Sequence, residues 1–188
     1  GMNNAQFLLD RRIPAGDWNT KTAQKELNEM LKAKYPSADK LVTWVSNYQV
    51  FFDTQKIDSL GLDYAAIKQD AVNLLKKNKM VQYACDMEKA SIESIPEEIK
   101  YRIINGYNRE RSGGVQVILK PAHYSNGMKG TTHGAWNGYD THIPLVFMGW
   151  GIQHGASTKP VYMTDIAPTV CALLHIQAPN GCIGEPIF

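Results

Sequence analysis

The residues best suited to chemistry gather between positions 130 and 142. Gly130-Thr131-Thr132-His133-Gly134 sets one imidazole in a loop between glycines, and small neighbours leave room for a metal. Zinc is held by an imidazole nitrogen at about 2.0 Å. On spacing alone a lone histidine in a polar loop is more often a hydrogen-bonded structural residue, so both readings stand at this point. Asp140 and His142 flank Thr141 ahead of the apolar run Ile143 to Met148. If that run is a strand, alternation puts the two side chains on one side. They would then be a ligand pair or, more simply, a packing histidine and a carboxylate that supports the backbone or orients another histidine.

His123, His154 and His175 read as structural. Arg109, Glu110 and Arg111 precede Gly113-Gly114 and read as a solvated turn, with a phosphate-facing arginine as the sharper alternative. Trp136 and Tyr139 either wall a substrate pocket or pack beside the loop. Cys85, Cys171 and Cys182 lack the close pairing of a zinc ribbon and read as packed thiols; Cys171 and Cys182 are near enough to pair in an oxidising compartment.

Several elements must position these groups. Ala23, Leu27, Met30 and Leu31 fall at helical spacing between Thr22 and Lys34, and Pro36 ends the run. Leu41 to Phe52 is rich in Val, Trp, Tyr and Phe and reads as one long strand. Asp63 opens a helix whose buried stripe is Ile67, Ala71, Leu74 and Leu75. A strand follows over Val81 to Asp86. Ser94 and Glu97 have capping-box spacing for a short helix near 95–105, with Gly106 as a left-handed cap. Val115, Val117 and Leu119 alternate in another strand. Strand, helix, strand, helix, strand suggests an α+β subdomain. A long irregular loop over about 121–140 follows, a place where function concentrates. Ile143 to Met148 then reads as a strand buried on both faces, and Asp165 as the cap of a last helix with Pro168 in its first turn.

At 188 residues, 44% hydrophobic and 20% charged, the chain can bury a core. A net charge of +2 without a block of like charge leaves no electrostatic footprint for nucleic acid or an anionic membrane. No stretch approaches the roughly 20 apolar residues of a membrane span, and no signal-peptide pattern opens the chain.

Read together, Gly130-Thr131-Thr132-His133-Gly134, Tyr139-Asp140-Thr141-His142-Ile143-Pro144-Leu145-Val146-Phe147 and Asp165-Ile166-Ala167-Pro168-Thr169 resemble the C-terminal end of the alkaline phosphatase superfamily, in its secreted bacterial alkaline phosphatase and type I phosphodiesterase/nucleotide pyrophosphatase branches. The matching runs from about Gly130 to Ile187 and takes in Ala178-Pro179-Asn180-Gly181 and Gly184-Glu185-Pro186-Ile187. The resemblance implies an α/β, alkaline phosphatase-like fold. Of it, this chain would hold an N-terminal segment with one helix (1–40), an α+β subdomain (41–120) and the C-terminal part of the core sheet with the Thr-His-Gly metal loop (121–188). It also implies that His133 is a zinc ligand. In the family two zinc ions are held by Asp and His residues from several strand ends, and a Thr or Ser attacks phosphorus. Only His133 maps onto that set: no histidine here has Asp immediately before it or four residues before it, and Thr131, Thr132 and Thr169 do not resemble the nucleophile.

The resemblance therefore implies the C-terminal fragment of a zinc-dependent phosphoester hydrolase, a phosphomonoesterase ahead of a phosphodiesterase or sulfatase. With one zinc ligand and no catalytic residue, the chain alone should bind zinc weakly and turn nothing over. A phosphate ester substrate and export to the periplasm or cell surface are implied for the parent. A sheet cut open at a strand would also expose an edge through which two copies pair. The rival reading is a non-catalytic binding or interaction module that kept the scaffold. A third is a compact metalloenzyme built on His133, Asp140 and His142.

Overall fold

The computed structural model describes residues 3–125 and 127–188. It divides into two compact units, the first closing at Ile143 and the second spanning Pro144–Phe188. In chain order the first carries α1 (Ala5–Leu9), β1 (Gly16–Asp17), α2 (Thr20–Lys34), β2 (Val42–Ser46), β3 (Gln49–Phe52), α3 (Thr54–Ser59), α4 (Tyr64–Leu75), β4 (Val81–Asp86), a 3-10 turn (Met87–Ile92), α5 (Glu97–Gly106), β5 (Val115–Leu119), β6 (His123–Tyr124) and α6 (Gly138–Thr141). The second carries a 3-10 turn (Met163–Asp165) and α7 (Ile166–Leu174). No helix among the described residues is long and apolar enough to cross a membrane.

The centre of the first unit is a four-stranded antiparallel sheet in the order β2-β3-β5-β4. Helices α2 and α4 cover one face. Asn19 caps α2 by accepting the Thr22 N–H, and Ala23, Leu27 and Leu31 form its buried stripe. Pro36 disfavours helical backbone in the residue before it, and the helix stops at Tyr35. Asp63 caps α4 by accepting from the Ala65 and Ala66 N–H groups, and Ile67, Ala71, Val72 and Leu75 turn inward. These stripes meet Val45, Val50, Val115 and Val117 in the main core. A smaller core of Cys85, Met87, Ala90, Ile103 and Ile118 includes residues of α5. Every residue of β5 is buried, as a strand with a core on each face requires. Burial pushes the Cys85 thiol up to about 12, which leaves it protonated and inert. All three cysteines are free.

Three local expectations give way, and one short helix goes unread. The long strand over Leu41 to Phe52 is a hairpin: Asn47 and Tyr48 both take positive φ, 49° and 60°, the pair that a two-residue turn needs to match strand twist. Helix α3, capped by Asp53 through the Lys56 N–H, is too short to stand out in the sequence pattern. Helix α5 begins behind Pro96 with no side-chain cap from Ser94, and Gly106 is its last helical residue rather than a left-handed cap. Ile143 to Met148 forms no strand: Val146 is 80% and Met148 95% exposed. The run is apolar enough for one, but a buried strand needs neighbours on both edges, and among the described residues no strand pairs with it.

In the second unit Asp165 does not cap α7. Its carboxylate accepts the Tyr162 N–H at 2.8 Å and the Glu185 N–H at 3.1 Å, and those bonds hold it below its ordinary pKa. The Thr169 hydroxyl accepts the Ile187 N–H at 3.0 Å. A Cβ at Gly184 would overlap the Thr164 carbonyl. The Asp165, Thr169 and Gly184 motif residues thus staple the C-terminal tail to the start of α7. Phe147 and Phe188 meet edge to face at 5.4 Å.

Candidate functional site

The loop that carries His133 is pinned along its length. Gly16 pairs with His123 and Asp17 with Tyr124 in a short parallel ladder. Tyr124 is fully buried, and its hydroxyl accepts the Ala5 N–H at 2.5 Å and donates to the Gly130 carbonyl at 2.8 Å. The Gly127 N–H donates to Asp17 at 2.8 Å, and the Gln6 N–H to the Met128 carbonyl at 2.9 Å. Tyr48 supports the loop from the hairpin tip. Its ring stacks on Trp18 with centroids 6.2 Å apart, its hydroxyl accepts the Ser125 N–H at 3.3 Å, and it would lie 3.7 Å from a Cβ on Gly134. A bulky residue at positive φ stores strain of order 1–3 kcal/mol that the surroundings must hold. Here the stacking and the Val117 N–H bond to the Tyr48 carbonyl, at 2.7 Å, hold it.

Within this frame His133 is 88% exposed along its side chain, whereas the Asp140 side chain is only 3% exposed. Asp140 accepts the Ala135 N–H at 2.8 Å through Oδ2, and its Oδ1 lies 3.4 Å from His133 Nδ1. If the Nδ1 proton is directed at the carboxylate, Nε2 keeps its lone pair, the arrangement in which metal-binding histidines are backed by a carboxylate. Gly134 has φ 94°, a conformation that L side chains rarely adopt and that lets the chain turn sharply behind the imidazole.

The other expected residues fall into place around this pair. Asp140 and His142 do not share a strand face; Asp140 lies in the short helix α6 and His142 is its exposed C-terminal cap. Asp140 instead takes the supporting role, on the backbone and behind a histidine. Trp136 packs against the smaller core, and the Tyr139 hydroxyl accepts the Ala122 N–H at 2.9 Å and the Asn137 amide at 3.0 Å. Both are struts of the loop. His123 Nδ1 sits 2.9 Å from the Pro121 carbonyl, and His154 and His175 are exposed, His175 closing α7 in the left-handed region. Arg109 and Arg111 are exposed in the turn before Gly113. Sequence reading does not single out Tyr48 or Tyr124, since neither carries reactive chemistry; the one signal for the turn is Asn47, a residue that tolerates the left-handed region.

Among the described residues no three His, Cys, Asp or Glu side chains gather as a metal site. The residues present fit one zinc ligand, an exposed imidazole with a carboxylate behind it, whereas zinc sites use three or four ligands.

No family model matches the chain. It is 44% identical over 187 residues to a calcium-transporting ATPase of Myroides odoratus, covering 98% of this chain and 34% of that protein. It is 44% identical over 182 residues to alkaline phosphatase PafA of Elizabethkingia meningoseptica, covering 96% and 33%. It is 51% identical over 187 residues to alkaline phosphatase PhoV of Synechococcus elongatus, covering 100% and 34%. The chain thus spans about a third of the length of these relatives. The crystal structure of wild-type PafA superposes with a TM-score of 0.91 over 98% of this chain and 35% of that one.

Proposed function

This chain belongs to the alkaline phosphatase superfamily, as its C-terminal portion, and from that premise we propose that it supplies one zinc ligand, His133, to a phosphoester hydrolase whose nucleophile and remaining ligands lie outside these residues. The observation that carries the reading is the His133 and Asp140 pair, an exposed imidazole backed by a buried carboxylate at 3.4 Å. An Nδ1 proton directed at Asp140 would leave Nε2 free to ligate. The Ala135 N–H fixes the carboxylate in turn, and Gly134 gives the backbone its sharp turn beside the imidazole. Zinc bound there would supply Lewis-acid polarisation of a phosphoryl oxygen and activation of the attacking hydroxyl.

The two relatives named alkaline phosphatase support a phosphate monoester as the parent's substrate, and such enzymes work in the periplasm or outside the cell. The 188-residue chain by itself is then inactive and binds zinc weakly. A chimera tests the reading. Exchanging the matching C-terminal third of the Elizabethkingia phosphatase for this chain should leave an enzyme that hydrolyses p-nitrophenyl phosphate with its zinc retained. His133→Ala in that chimera should lower both zinc content and turnover. Full zinc loading and full turnover after His133→Ala would sink the assignment, as would turnover by the isolated chain.

A further inference from the structure

Tyr48 holds a backbone conformation that its own side chain disfavours. The turn Asn47-Tyr48 joins β2 to β3, with Ser46 paired to Gln49, and both turn residues take positive φ. Asn-Gly is the pairing such a turn prefers, so a tyrosine in the place of that glycine is strained. Strain of this kind persists only where the surroundings over-determine it, and it clusters at functional sites.

The surroundings here are specific. The Tyr48 carbonyl accepts two bonds from β5, from the Val117 N–H at 2.7 Å and from the Gln116 side-chain amide at 2.9 Å. Gln116 is 3% exposed and donates also to the Val117 carbonyl at 3.1 Å. A buried amide in the middle of the sheet thus fixes the backbone of the hairpin tip. The side chain serves the loop instead, with its ring on Trp18, its hydroxyl on the Ser125 N–H and a ring carbon 3.7 Å from the place of a Cβ on Gly134. Tyr48, Leu119, His123, Ala135, Trp136 and Asn137 line a crevice with no room for a water molecule, so sheet and loop meet directly. A close-packed contact passes a displacement on instead of absorbing it.

We propose that Tyr48 is a positioning residue for the metal ligand: its ring, set by β5 through the strained turn, fixes Gly134 and so the place of the His133 imidazole. The inference rests on His133 being a zinc ligand. It makes the four-stranded sheet the support of a metal site to which it contributes no ligand.

Tyr48→Gly tests it, because glycine suits the turn and keeps the backbone carbonyl while the ring is lost. Amide hydrogen exchange on the 188-residue chain reads the loop without any metal. Exchange at Ala135, whose N–H bonds Asp140, should quicken about fivefold or more relative to Leu27 in α2 and Ala71 in α4, the worth of one aromatic pair. In the chimera described above, Tyr48→Gly should weaken zinc retention against a chelator by a similar factor. Tyr48→Phe, which restores the ring alone, should recover most of it. Ala135 exchange that rises no further than that of the core amides overturns the inference. So does a Tyr48→Gly chimera that holds zinc as well as the unsubstituted one while His133→Ala releases it. Zinc held undiminished after His133→Ala removes the ligand assignment itself, and the inference with it, a pattern that no Tyr48 variant imitates.

Discussion

Asp140→Asn isolates the one interaction on which the metal reading turns. Asparagine keeps an oxygen for the Ala135 N–H but turns an NH2 toward His133 Nδ1, which must then accept. The proton moves to Nε2 and blocks its lone pair. The wild-type contact is long, 3.4 Å, and the imidazole is exposed, so its worth lies at the low end for a charge-assisted bond, about 1 kcal/mol. That is about fivefold in the ratio of tautomers. A free neutral imidazole favours the proton on Nε2, so the wild-type chain should show a clearly larger Nδ1–H share than the variant. Long-range proton–nitrogen correlation spectra of the labelled chain in mildly alkaline buffer read the two ring nitrogens directly. Zinc affinity of the chimera should fall by about the same fivefold in the variant. A wild-type His133 already protonated on Nε2, or a spectrum that Asp140→Asn leaves unchanged, refutes the reasoning.

Further outcomes are expected elsewhere in the chain. Gly134→Ala forces a side chain to φ 94° and should cost about 1–2 kcal/mol, seen as a lower melting temperature. Lys68→Met strands the buried Asp86 carboxylate and should cost about 3–5 kcal/mol by urea unfolding. In the wild type, hydrogen bonding to Lys68 holds Glu88 below its ordinary value of 4.5. Its contribution is therefore complete above that value and fades as pH falls through the lower folded one; Glu88→Gln should flatten the acid limb of the stability profile.

The parts of the fold that show in the sequence are those governed by local chemistry. The stripes of α2 and α4 and the Asp63 cap obey spacing that a reader can count, because Leu27 with Leu31 and Ile67 with Ala71 follow helical periodicity. The hairpin does not show, because its turn uses Tyr48 where glycine would be the usual mark, and Tyr48 is held in place by Trp18, distant in sequence. The apolar run at Ile143 misleads for the converse reason: composition reports what a segment would bury, not whether a neighbour is present to bury it. At the site, His133 stands out by its loop and its glycines. Its dependence on Asp140 can be guessed from proximity, but the near-complete burial of that carboxylate cannot, since it follows from the α6 turn closing over the loop.

The sheet order has a consequence in time rather than in space. Strand β5 is the last of its four to appear along the chain, yet it lies between β3 and β4, with Val50 paired to Val115 and Ala84 to Val117. Until residues 115–119 arrive, the β2/β3 hairpin and β4 have no common edge, so the sheet cannot close by growing outward from its earliest pair. Closing it means shutting a long loop before either core is complete, the step that slows folding in chains rich in distant pairings. On a ribosome the first unit would wait, helices formed and sheet open, for one five-residue strand, and the loop bearing His133 emerges directly behind it.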